Sequence, residues 1–179
     1  SQEYFQNVID KFPTSEYAYN SRIELIEVKI QENKMAEAES LINSGARTVG
    51  VSPSLLSYEK YLKGKINFWK HDFANATIEF QNASSNLKDE SANDAIEAAI
   101  VIGMFKYDSL NLAKYADADL LIFQHKLLEA EIPLNDLMNN LKLFGLNEIA
   151  KYRLAEILIA QNNFTKSILV LSEIACDEK

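Results

Sequence analysis

The chain has 179 residues, 47% hydrophobic and 25% charged, which suits a folded domain with one sizeable core or about five stacked helix pairs. Its net charge of −8 argues against nucleic acid or anionic lipid as a partner, since both recruit clustered Lys and Arg. No run nears the roughly 18 uncharged apolar residues of a membrane-spanning segment, and the lone Cys176 permits no internal disulfide.

In chain order, the apolar periodicity predicts helices over 2–10, 15–32, 34–45, 54–70, 73–86, 92–108, 111–124, 126–143, 146–161 and 163–176. Pro13 and Thr14-Ser15 supply a stop and then a cap. Ser52-Pro53-Ser54 opens the helix that follows, with Pro at its entry. His71-Asp72 and Asn162-Asn163 make tight turns, and Gly45 and Gly145 stand where a C-terminal glycine is expected. In the segment 92–108, Ile96, Ala99, Ile100, Gly103 and Met104 recur at helical spacing, so that face is expected to be buried. Pro133 removes a backbone donor inside 126–143, which predicts a kink or break near Glu131 to Leu134.

Four of these helix pairs share one spacing. A small or apolar anchor is followed by a bulky residue at +9, a small one at +12 and a large apolar one at +16. The sets are Ile26, Met35, Ala38, Ile42; Gly64, Phe73, Ala76, Phe80; Ala118, Leu127, Ala130, Leu134; and Ala155, Phe164, Ser167, Leu171. The anchors stand 38, 54 and 37 residues apart, with the extra helix at 92–108 filling the long interval. Two helices approach closely only where side chains are small, so Gly64 and Ala76 permit contact while Phe73 and Phe80 fill the space beside it. One such hairpin cannot bury its apolar face alone, and stacked neighbours supply the core.

The segments YLKGKINFWKHDFANATIEFQNA (61–83) and YRLAEILIAQNNFTKSILVL (152–171) carry this pattern best, and it resembles the tetratricopeptide repeat, a unit of about 34 residues. The other two repeats depart from it more. Ile26 replaces the usual Gly or Ala, Lys29 and Asn67 a usual aromatic, and Ser167 in the fourth an alanine. The resemblance implies an all-α fold, a right-handed superhelical solenoid of antiparallel hairpins with one extra helix. It implies one domain over 1–179, with repeats at about 15–50, 54–86, 111–143 and 146–179. Residues 1–13 then read as the tail of an earlier repeat or as a cap, and the whole as a piece of a longer array. The segment YFQNVIDKFPTSEYAYNSR (4–22) is also similar to bacterial envelope repeat proteins, which favours a periplasmic or envelope-associated location over the cytoplasm.

No catalytic residue, metal site or cofactor is expected. His71 and His125 both fall at turns, without further ligands at useful spacing, and the glycines are scattered. Glu37/Glu39 and Asp117/Asp119 are two apart and point to different helix faces. Two ladders remain on the first helix of each hairpin, here the A helix. Ile23, Tyr61, Tyr115 and Tyr152 stand three before the anchors, and Ile30, Phe68, Ile122 and Ile159 four after. Most of their area should serve packing between repeats, with the tyrosine hydroxyls reaching toward a groove. The resemblance places the A helices on a concave surface, and the candidate partner-binding residues are Tyr61, Lys65, Phe68, Trp69, Tyr115, Ile122, Tyr152 and Ile159. Arg22, Lys60, Lys114 and Lys151 form a basic row whose stems should cover apolar surface while the charges reach water.

These features point to a non-catalytic protein–protein interaction scaffold or adaptor, holding a peptide or a partner subunit on the A-helix face. A permanent structural subunit of a large envelope assembly is one alternative. A glycan-binding helical domain of an uptake system is another, with Trp69 and Tyr58 or Tyr61 as its aromatic platform. The oligomeric state stays open.

Overall fold

The computed structural model describes residues 2–44, 50–85, 87, 89–140 and 145–176, without the side chains of 175 and 176. Ten helices and no strand occur among them. They are α1 (Gln2–Lys11), α2 (Glu16–Gln31), α3 (Met35–Asn43), α4 (Pro53–Trp69), α5 (Phe73–Ala83), α6 (Glu90–Phe105), α7 (Ser109–Phe123), α8 (Leu127–Met138), α9 (Leu146–Ala160) and α10 (Phe164–Cys176). The fold is all-α, and each of the ten predicted segments overlaps one helix.

The chain divides into two compact units, Ser1–Met104 and Phe105–Lys179. In the first unit α1 packs on α2, α2 on α3, α3 on α4 and α4 on α5; in the second, α7 packs on α8, α8 on α9 and α9 on α10. The cross-links run antiparallel within hairpins. Lys29 pairs with Glu37 at 2.8 Å and Lys63 with Glu79 at 3.0 Å, while Lys114 reaches Asp136 at 3.8 Å and Lys151 reaches Glu173 at 3.5 Å. The last two pairs occupy the same register, four before and eighteen after the anchor.

The four hairpin turns share one backbone. Asn33, His71, His125 and Asn162, each seven after its anchor, have φ of 61°, 62°, 58° and 60°. In every turn this residue donates its N–H to the carbonyl three back, and the next residue donates to the carbonyl five back; in the second, His71 N reaches Phe68 O at 2.9 Å and Asp72 N reaches Asn67 O at 2.9 Å. That pair of hydrogen bonds closes the last turn of an A helix and satisfies carbonyls that would otherwise be orphaned. Asn and His tolerate this left-handed conformation better than most residues, which explains the two histidines without chemistry.

Packing follows the same register. Ile26, Gly64, Ala118 and Ala155 are buried, as are Ala38, Ala76, Ala130 and Ser167 at +12. A Cβ placed on Gly64 would lie 2.6 Å from Cδ1 of Phe80, inside its van der Waals surface. The glycine is what lets a phenylalanine occupy +16 there; the alanine anchors of the third and fourth hairpins stand with the smaller Leu134 and Leu171. Ser167, the one polar residue at +12, donates its hydroxyl to Ala155 O at 3.2 Å.

Most boundaries fall where expected. Ser15 accepts from Ala18 N at 3.1 Å as the cap of α2, and Pro53 opens α4 behind Ser52. Three expectations need correction. The buried side of α6 carries Ala92, Ala95, Val101, Ile102 and Phe105, whereas Ile100 and Met104 are 54% and 60% exposed and Gly103 faces open space. From Ala98 onward this helix is apolar all round, so the periodicity is right and the phase is not. α8 runs unbroken through Pro133. Proline removes the N–H that would reach the Glu129 carbonyl, yet the helix continues to Met138, so the break does not occur. Gly145 does not close α8, which ends at Met138; it precedes α9 with φ 84°. The expectations for Gly45 and for the thiol of Cys176 lie outside the described residues.

Candidate interaction surfaces

The A-helix ladders behave differently from hairpin to hairpin. Ile23 and Ile30 are buried on α2. On α4, Tyr61 is half-buried between Tyr58 and Phe80, with ring centroids 5.9 Å from each. Lys65 lies over the rings of Tyr61 and Trp69, at 5.9 and 5.3 Å, a cation–π arrangement along one helix face. Phe68 is buried against Phe73 at 5.7 Å, and Trp69 is only 5% exposed. On α7, Tyr115 is buried and Ile122 half-buried. On α9, Tyr152 and Ile159 are 54% and 48% exposed.

Polar links join successive A helices inside each unit. Between α2 and α4, Glu59 accepts from both the Tyr19 hydroxyl and Nη2 of Arg22, the latter at 2.9 Å. The Arg22 guanidinium also lies 4.6 Å from the Tyr19 ring centroid, while its Nε and Nη1 are buried without a hydrogen-bond partner. Burial, the adjacent Glu59 carboxylate and its hydrogen bond push the Tyr19 hydroxyl well above the usual tyrosine range. Glu27 accepts from the Tyr58 hydroxyl at 2.5 Å, and Glu16 accepts from Ser52 N at 3.1 Å. Burial raises the Glu27 carboxyl above the ordinary range, the Tyr58 hydrogen bond lowers it, and neighbouring Glu24 raises it again. Between α7 and α9, Arg153 donates Nε to the Tyr115 hydroxyl at 3.2 Å.

The basic row is therefore no continuous track. Arg22 and Lys151 are buried, and Lys114 and Lys151 reach across their own hairpins to carboxylates. Of the four, Lys60 is the exposed member.

Each unit also holds a groove between successive second helices of the hairpins, floored by the intervening A helix. In the first unit its lining includes Glu39, Asn43, Lys63, Asn67, Asn75 and Glu79, around a volume of about 230 Å³. In the second, the residues at those six register positions are Glu131, Asn135, Leu154, Leu158, Lys166 and Val170, around about 280 Å³. The first wall keeps its Glu and Asn in both. The clasp over that wall also repeats, since Lys70 bonds Glu39 and, at the same register, Gln161 donates to Glu131 Oε1 at 2.9 Å. The floor and far wall change together. Lys63 and Glu79 form an ion pair at 3.0 Å in one unit, and Leu154 and Val170 replace both charges in the other. Met138 and Leu169 add to the second groove, and Leu169 is 60% exposed. Sequence reasoning missed this site because it weighed the A-helix ladders singly; the signal was the coupled loss of both charges at two aligned positions.

Among the described residues, no group of three or more His, Cys, Asp or Glu is placed to hold a metal ion, and no helix is long and apolar enough to cross a membrane. No protein-family model matches the chain, and no curated protein matches it significantly.

Proposed function

We propose that this protein is a non-catalytic interaction scaffold, a solenoid of tetratricopeptide-like hairpins that holds a peptide or partner subunit. The observation that carries the reading is the groove of the second unit, whose floor and far wall are apolar beside a polar wall of Glu131 and Asn135. Leu154 and Leu158 form its floor, Met138, Leu169 and Val170 its sides, and Glu131 and Lys166 its charged rim. An apolar floor with a few charges at the edge is how a protein surface receives an apolar anchor residue and excludes water from it. At about 280 Å³ the groove lies below the roughly 300–1,000 Å³ typical of small-molecule sites, and it suits one or two side chains of a peptide. The exposed Tyr152 and Ile159 on α9 are further contact groups.

A permanent structural subunit is the second reading, favoured by the exposed apolar row of Ile100 and Met104 on α6. The resemblance of residues 4–22 to envelope repeat proteins supports an exported setting for either. The glycan reading draws little support from Trp69, whose ring is buried and offers no open face to a sugar.

The test is affinity capture of the full-length protein from its native cells, paired with the variant Leu169→Glu. A stoichiometric protein partner that the variant loses, with its fold retained by circular dichroism, supports the scaffold. Recovery of the protein alone, or a partner that the variant retains, sinks it.

A further inference from the structure

The two grooves also differ in how their charges are answered from within the chain. In the first unit every charge that lines the groove is paired. Lys70 bonds Glu39, and Lys63 meets Glu79 at 3.0 Å. The +11 position there is Asn75, which carries no charge and donates Nδ2 to Asp72 at 2.7 Å. In the second unit Gln161 replaces Lys70 at +6, and Lys166 replaces Asn75 at +11. Gln161 donates to Glu131 Oε1 at 2.9 Å but brings no counter-charge. Lys166 makes no ion pair or hydrogen bond among the described residues. In the first hairpin +3 and +11 face each other as Lys29 and Glu37, paired at 2.8 Å; in the fourth, +3 is Leu158, which has nothing to offer an ammonium. The groove is complete in α8, α9 and α10, and +11 is exposed in all four hairpins, as Glu37, Asn75, Glu129 and Lys166. The exposure of Lys166 is therefore a property of the register and not of the helix that carries it.

The second groove thus has a carboxylate on its α8 side, an ammonium on its α10 side and leucines between, with neither charge neutralised from within. Those charges select the occupant. A segment with acids on both sides of its apolar residue would bring one of them to Glu131, and a segment with bases on both sides would bring one to Lys166. Like charges in such a contact cost affinity, and opposite charges gain it. We propose, resting on the groove as the scaffold's binding site, that it receives a partner segment in which an aliphatic residue stands between a basic and an acidic side chain. The aliphatic residue sits on Leu154 and Leu158. The partner's arginine or lysine meets Glu131, whose Oε2 is left over from the Gln161 hydrogen bond, and its aspartate or glutamate meets Lys166. The groove then discriminates by sign as well as by fit, because a uniformly charged segment always meets one repulsive wall.

The probe is a phage-displayed library of random short peptides, selected on the intact chain after depletion on Leu169→Glu, so that only groove-directed sequences remain. The enriched sequences should carry an aliphatic residue with a base on one side and an acid on the other. Repeating the selection on Lys166→Glu should replace that acid with a second base. One enriched peptide is then synthesised and titrated by fluorescence anisotropy. Changing its acid to glutamine should weaken binding by about threefold to fivefold on the wild type and leave it unchanged on Lys166→Gln. Lys166 is exposed and unpaired among the described residues, so its variants read the site and not the fold. Groove-directed peptides whose charges are random, or whose charges Lys166→Glu does not alter, overturn this proposal and leave the groove standing as a binding site. Recovery of no peptide that Leu169→Glu loses overturns the proposal and the groove together.

Discussion

The grooves of the two units occupy the same six register positions and share a clasp and one polar wall, yet one carries an ion pair where the other carries Leu154 and Val170. In the first, Lys63 and Glu79 neutralise each other across the groove at 3.0 Å. In the second, Leu154 and Val170 make the floor and far wall apolar beside Glu131, Asn135 and Lys166. The backbone that makes a groove and the side chains that decide its use are thus separate choices in this molecule. Two grooves of the same register can thus differ in side-chain chemistry while keeping the polar wall and its clasp. The same separation holds between A helices. The first unit ties α2 to α4 through a buried cluster of Tyr19, Arg22 and Glu59, and the second ties α7 to α9 through the Tyr115–Arg153 hydrogen bond.

The largest effect should come from breaking the charged link of the first unit. Glu59→Ala leaves the buried Arg22 without its counter-charge, and removing one partner of a buried pair costs about 3–5 kcal/mol. Chemical denaturation should record that loss. Hydrogen exchange should place it in α2 and α4. An unchanged midpoint would mean that Arg22 escapes to solvent.

Next comes the anchor. Gly64→Ala drives a methyl group into Phe80 and should cost about 1–3 kcal/mol by overpacking. Phe80→Leu alone should cost about 1 kcal/mol for the space it leaves. Combined, the two rebuild the alanine–leucine pairing of the third and fourth hairpins, so the double variant should be more stable than the sum of the single losses predicts. Strict additivity would show that the anchor and the +16 residue do not trade volume.

A smaller effect concerns pH. The Glu27 carboxyl is held above its ordinary range chiefly by burial, so the folded chain binds that proton more tightly than the unfolded chain does. This contribution to stability is complete in acid, below the unfolded value, and fades as pH rises through the folded value. Glu27→Gln keeps an acceptor for Tyr58 and removes the titration. Its melting temperature should match the wild type near pH 4 and equal or exceed it at pH 7. A variant less stable at pH 7 than at pH 4, relative to wild type, would reverse the sign.

The smallest change in stability should come from converting one groove into the other. Lys63→Leu with Glu79→Val removes a partly exposed ion pair worth about 0–1 kcal/mol and should leave unfolding nearly unchanged. What should change is the surface. The first unit should gain affinity for an apolar dye such as ANS, and failure to gain it would show that more than these two positions separates the grooves.

Much of the architecture was legible in the sequence, because the constraints that set it act locally. The tight turns at His71-Asp72 and Asn162-Asn163 and the small residue at +12 are demands of a single hairpin, and Ala38, Ala76 and Ala130 display the second plainly. Tertiary context decided the rest. α6 carries apolar residues on both sides, so local periodicity could not choose between Ala92, Ala95 and Ile102 on one face and Ile100 and Met104 on the other. Tyr115 and Phe68, offered as partner-binding candidates on ladders expected mostly to pack, are buried, because what covers an A helix lies far away in sequence. The groove needed two hairpins in register before Leu154 and Val170 could be seen as replacements for Lys63 and Glu79.

One experiment tests the central claim, that only the second unit's groove receives a partner. A photocrosslinking amino acid is placed at position 170 and, in a separate protein, at the equivalent position 79, and both are irradiated in the native cells. The account predicts a defined protein adduct from position 170 and none from position 79. Equal adducts from both positions, or an adduct from position 79 alone, would contradict it.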